Sequence, residues 1–117
     1  LSPLLELQGR KKDVILLSHD ETFSVLLFQT LFAKEIGLEN IARYQITQKT
    51  LNDIQINYIS RKKISLEKIK FVEMILENTL HNKAKVNLKE INGMTSHKSG
   101  KHKVFVSLEE NENIGGN

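Results

Sequence analysis

The chain has 117 residues, 39% hydrophobic and 26% charged, with 17 basic against 14 acidic side chains and a net charge of +3. That suffices for one domain with one modest core, and the field is too mild to argue for a nucleic-acid partner. There is no cysteine and one proline, no apolar run of bilayer-spanning length and no signal-peptide pattern at Leu1, which excludes disulfides, thiolate metal sites and a membrane partner and makes a cytoplasmic place the expectation.

After the lead-in Leu1–Gln8, Gly9-Arg10-Lys11-Lys12-Asp13 precedes the apolar run Val14-Ile15-Leu16-Leu17. Four branched residues between polar turns read as a buried strand. Ser18-His19-Asp20-Glu21 turns out of it into a helix, with Thr22 or Ser24 as its cap and Gly37 at its C-terminal end. Leu27, Leu31 and Ile36, with Phe28 and Phe32, supply its apolar stripe. Ile41–Lys49 then alternates, with Ala42, Tyr44 and Ile46 on one face. Ile54, Ile56 and Tyr58 repeat the pattern beyond a turn at Thr50-Leu51-Asn52-Asp53, which predicts a hairpin. Ser65 caps a second helix whose face is Leu66, Ile69, Val72, Leu76 and Leu80, and Lys83 near its end complements the dipole. Val86–Ile91 reads as a strand ending at Asn92-Gly93. In the last strand Val104, Val106 and Leu108 are expected to face the core, with Lys103, Phe105 and Ser107 opposite. The β-α-β-β-α-β-β order predicts an α+β fold, a mostly antiparallel sheet with both helices on one face. The Asn- and Glu-rich end from Glu109 reads as a disordered tail.

The chemistry is sparse. His19, His81, His97 and His102 show no ligand spacing, so no metal site is expected. Ser96-His97-Lys98-Ser99-Gly100-Lys101 lacks the first glycine of a phosphate-binding loop. Nothing resembles a nucleophile elbow or a facing pair of carboxylates. The outer sheet face, Arg43, Gln45, Thr47, Gln55 and Asn57, offers only Phe105 as an aromatic, too few for stacking bases. What remains is a lysine after a glycine at the mouth of a strand, a group that can be aimed at an anion.

Gly9-Arg10-Lys11-Lys12-Asp13-Val14-Ile15-Leu16-Leu17 with Glu21-Thr22-Phe23-Ser24, then Tyr44-Gln45-Ile46, then Ser99-Gly100-Lys101 before Val104-Phe105-Val106, appear in that order. This set resembles the mobile C-terminal domain of adenylate-forming (AMP-binding) ligases, in the branch of phenylacetate–coenzyme A ligases and capsule-biosynthesis ligase-like proteins. The likeness spans residues 9 to about 108. It implies a linker and hinge over 1–13, a lid domain over 14–108 and the tail over 109–117, in a piece cut from a longer protein. It implies ATP with Mg2+, bound mainly by an N-terminal adenylation domain of the same chain, a carboxylic acid substrate, and coenzyme A or a similar thiol as acyl acceptor. By the same likeness Lys101 is the catalytic lysine and Lys12 the hinge, supported by Gly9, Arg10, Asp13 and Gly100. This chain departs from the family pattern in having Lys12 at the first position of an Asp-Asp pair, no glycine in Ser18-His19-Asp20, and Glu21 and Ser24 where the family has Asn and Pro. The contrasting expectation is a free-standing α+β binding or regulatory module with no catalytic role; isolated, the 117 residues are expected to be inactive under either.

Overall fold

The run after Asp13 forms strand β1 (Val14–Leu16), which turns straight back into β2 (Thr22–Ser24). The two pair antiparallel, with Ile15 opposite Phe23. The N–H groups of Leu17 and Ser18 both donate to the Glu21 carbonyl, at 2.8 and 3.3 Å, and close the turn. The computed structural model describes residues 14–18, 20–92 and 104–108. Thr22, a candidate helix cap, therefore lies in a strand, opposite Leu16. Ser24 is the cap: its hydroxyl oxygen accepts from the Leu27 N–H at 3.2 Å.

Helix α1 (Val25–Ile36) buries Val25, Phe28, Phe32 and Ile36, spaced three, four and four apart. Leu27, expected in the stripe, is 61% exposed, because the two phenylalanine rings set the helix phase and leave Leu27 outside it. Gly37 ends the helix with φ +84°, its N–H donating to the Ala33 carbonyl. A Cβ there would stand 2.9 Å from the side-chain ends of Glu39 and Asn40, which can give way, so it is the positive φ that calls for glycine.

After a 3-10 turn, Leu38–Asn40, strands β3 (Ile41–Thr50) and β4 (Asp53–Ser60) form the predicted hairpin, with Tyr44 opposite Tyr58 and Ile46 opposite Ile56. Its two-residue turn is held by the Asn52 N–H donating to the Thr50 hydroxyl oxygen at 3.1 Å. A register shift between Ile41 and Arg43 breaks the alternation, so Ala42 is exposed, not buried as the pattern implied. Helix α2 (Leu66–Thr79) starts at Ser65, whose hydroxyl oxygen accepts from the Lys68 N–H at 3.1 Å. It buries Ile69, Val72 and Leu76, followed by Leu80, but Leu66 in its first turn is 70% exposed; contact with the core begins one turn later, at Ile69.

Two strands complete a four-stranded sheet of order β5-β4-β3-β6, with β5 over Lys85–Glu90 and β6 over Phe105–Val106. The fold is α+β as expected, and the four-stranded sheet is mixed, not purely antiparallel. Only β3 and β4 run antiparallel; β5 is parallel to β4 and β6 parallel to β3. The cause for β5 is α2, a crossover that returns the chain to the starting end of β4. Ile46, Ile54, Ile56, Tyr58 and Val86 on one sheet face join Phe28, Phe32, Ile36, Val72 and Leu76 in a single core, so both helices cover that face. Phe105 is paired with Ile46 and is 8% exposed, facing the core. The expected phase of this strand is thus inverted. Lys83 lies beyond the last turn of α2 and pairs with Glu21, tying the β1–β2 turn to the entry of β5. Among the described residues no helix is long and apolar enough to cross a membrane.

Candidate functional site

The residues singled out by motif, Gly9, Arg10, Lys12, Asp13, Gly100 and Lys101, lie outside the described residues, as do Lys98, Lys103, His97 and His102. The structure describes what flanks them. Val14 follows Asp13 and opens β1; Val104 follows Lys103 and leads into β6.

Both flanks are held by the same strand, β3. On one side its Ile46 N–H donates to the Val104 carbonyl at 2.6 Å, and Ile46 and Thr47 then pair with Phe105 and Val106. On the other, the Gln48 side chain holds β1. Its Oε1 accepts from the Leu16 N–H at 3.0 Å, and its Nε2 donates to the Leu16 carbonyl at 2.7 Å and the Thr50 carbonyl at 3.3 Å. Gln48 is fully buried. A buried amide is costly unless its donors and acceptor are matched; here it completes the backbone of a strand that no sheet partner among the described residues reaches on that side. Gln48 therefore does for β1 what a strand neighbour would do. Leu16 of β1 and Val104 at the entry to β6 are attached two residues apart along one strand.

Sequence reasoning missed Gln48. The signal was present: an amide at an even position of β3, in phase with Ile46 and the core, has to find partners inside. It also missed Glu73 and Glu77 on α2, whose carboxylates accept from the N–H groups of Leu88 at 2.8 Å and Val86 at 3.0 Å. These are the first two outward N–H groups of β5, so α2 caps that edge along most of its length. Tyr58, in register with Glu90 on β5, has its phenol pushed above the ordinary value of 10.0, first by burial and then by the carboxylates of Glu90 and Glu73.

The opposite sheet face carries Arg43, Gln45 and Thr47 from β3, Gln55 and Asn57 from β4, and Lys85, Asn87 and Lys89 from β5, by register. The Gln55 amide donates to Asn57 at 2.6 Å and the Asn87 amide to Asp53 at 3.3 Å. With Phe105 turned inward, the strands present no aromatic on that face among the described residues. No family model matches the chain, and no curated protein matches it.

Proposed function

We propose that this chain is the mobile C-terminal domain of an ATP-dependent, acid-activating ligase, and that it donates Lys101 to the adenylation site. In the first half-reaction a substrate carboxylate oxygen attacks the α-phosphorus of ATP. The new bond gives an acyl-adenylate, and pyrophosphate leaves with the electrons of the broken P–O bond. In the second, a thiol such as coenzyme A attacks the acyl carbon and AMP leaves. Negative charge crowds the first transition state, and a lysine ammonium brought in at that moment offsets it. Lysine suits a domain that must also withdraw, as a compact charge on a long stem. An N-terminal adenylation domain supplies most of the ATP, Mg2+ and acid pocket, and a cytoplasmic place suits the use of ATP.

One observation carries the reading. Leu16, three residues past Asp13, and Val104, three residues past Lys101, are fastened to β3 at Gln48 and Ile46. On this reading, rotation at a hinge near Lys12 would reach the lysine segment by way of β3, to which Leu16 and Val104 are both bonded. The test is Lys12→Pro in the intact ligase, which fixes φ at the hinge. Pyrophosphate exchange and acyl transfer are expected to fall unequally, by at least about tenfold (~1.4 kcal/mol) relative to each other. Equal losses in the two half-reactions would argue against a hinge at Lys12.

A further inference from the structure

Where β3 begins and β4 ends, Arg43 and Arg61 line an open cleft of about 420 Å³ together with Leu38, Ala42, Tyr44 and Val104. Both arginines are exposed. Among the described residues no acidic side chain lines the cleft, and neither guanidinium has a carboxylate within ion-pairing distance. Two permanent positive charges share one concavity and repel each other there, with no counter-charge beside them among the described residues.

Their backbones are fixed. The register shift between Ile41 and Arg43 re-aims the strand locally, which is what bulges do beside functional sites. The Arg61 N–H donates to the Asn40 carbonyl at 2.7 Å and ties the end of β4 to the start of β3. Tyr44 is wedged by its ring contact with Phe32, centroids 5.1 Å apart. A guanidinium presents parallel N–H donors that match phosphate oxygens in pairs, and two of them suit a dianion better than a carboxylate. The cleft is in the size range of small-molecule sites, and Leu38, Ala42, Tyr44 and Val104 give it an apolar wall beside the charges.

We propose that the Arg43–Arg61 cleft is a phosphate-binding site, taking the phosphate dianion on the two guanidinium groups, with room on the apolar wall for an organic body that carries it. This does not depend on the ligase reading, since it uses only residues around the start of β3 and asks only for binding.

The experiment is a titration of the 117-residue chain, followed by backbone amide NMR, with inorganic phosphate and separately with AMP, at fixed ionic strength and against sodium chloride. Shifts at Arg43, Tyr44 and Arg61 are expected to saturate with a dissociation constant on the order of 1 mM. Arg43→Gln and Arg61→Gln, both at exposed positions, should each weaken binding about fivefold or more, and Arg43→Lys should weaken it less because it keeps the charge and loses only the fork. AMP binding tighter than phosphate assigns the site to an organic phosphate; equal affinities assign it to the free ion. Shifts that rise linearly, as with chloride, or affinities unchanged in both glutamine variants, overturn the proposal.

Discussion

The two edges of the sheet are finished in different ways. At the β5 edge, Glu73 and Glu77 of α2 reach over and accept the outward N–H groups of Leu88 and Val86. The match is geometric: four helical residues rise about 6 Å and two strand residues about 6.6 Å, so carboxylates at i and i+4 meet N–H groups at j and j+2. At the other edge, β6 covers β3 for only two residues, Gln48 secures β1 beyond them, and the Arg43–Arg61 cleft opens before them. An unpaired edge invites association, and the first arrangement blocks it. The second leaves β3 as the attachment line for Leu16 of β1 and for Val104. The sealed edge serves the fold, and the interrupted one carries the proposed phosphate cleft.

The largest expected effect comes from breaking the interrupted edge at its clamp. Gln48→Leu keeps the volume but leaves the Leu16 N–H and carbonyl without their partner. Urea denaturation should show a loss of about 2–3 kcal/mol, the scale for buried polar groups left unsatisfied. Hydrogen exchange should rise at Leu16 while the β4–β5 pairing stays protected; a uniform rise would mean that Gln48 supports the core at large and not β1 in particular.

How legible this edge was is a matter of range. The helix caps Ser24 and Ser65, the Gly37 stop and the β3–β4 hairpin were readable because each depends on residues within a turn or two. β2 was not, since three residues give no alternation and its Thr and Ser read equally well as caps. The parallel placement of β5 and β6 was not, because strand partners far apart in sequence leave no local trace. Phe105 shows the cost most plainly: in a strand of two residues only the partner, Ile46, sets the phase. Ala42 was misread for a related reason, since a bulge shifts alternation without a sequence mark. The motif residues around Lys12 and Lys101 were legible only through the family resemblance, and they fall outside the described residues.

Breaking the sealed edge should cost less. Glu73→Ala and Glu77→Ala each remove one hydrogen bond to a charged acceptor at a partly buried site, worth about 1–2 kcal/mol apiece. The sharper readout is assembly: sedimentation should show the double variant self-associating while the parent does not. A double variant that stays monomeric at the same concentration would mean the β5 edge needs no guard.

The smallest effect lies in the tyrosine beside that edge. Tyr58 has its folded-state value raised, so the folded form holds its proton more tightly than the unfolded one. Its contribution is fully present below pH 10 and is lost as pH climbs through that region toward the raised value. Melting temperature should therefore fall more steeply above pH 10 in the parent than in Tyr58→Phe, which has no proton to lose. Parallel slopes would count against the shift.

The most direct test of the account is Lys101→Ala in the intact ligase, with Lys98→Ala beside it and the two half-reactions measured separately. Adenylation, followed by pyrophosphate exchange, should slow by about 100- to 1000-fold, the scale for losing one electrostatic stabiliser of a transition state. Acyl transfer from a preformed acyl-adenylate should be unchanged, because in the proposed cycle the lysine serves the first half-reaction alone. Normal adenylation in Lys101→Ala, or a larger defect in Lys98→Ala, would contradict it.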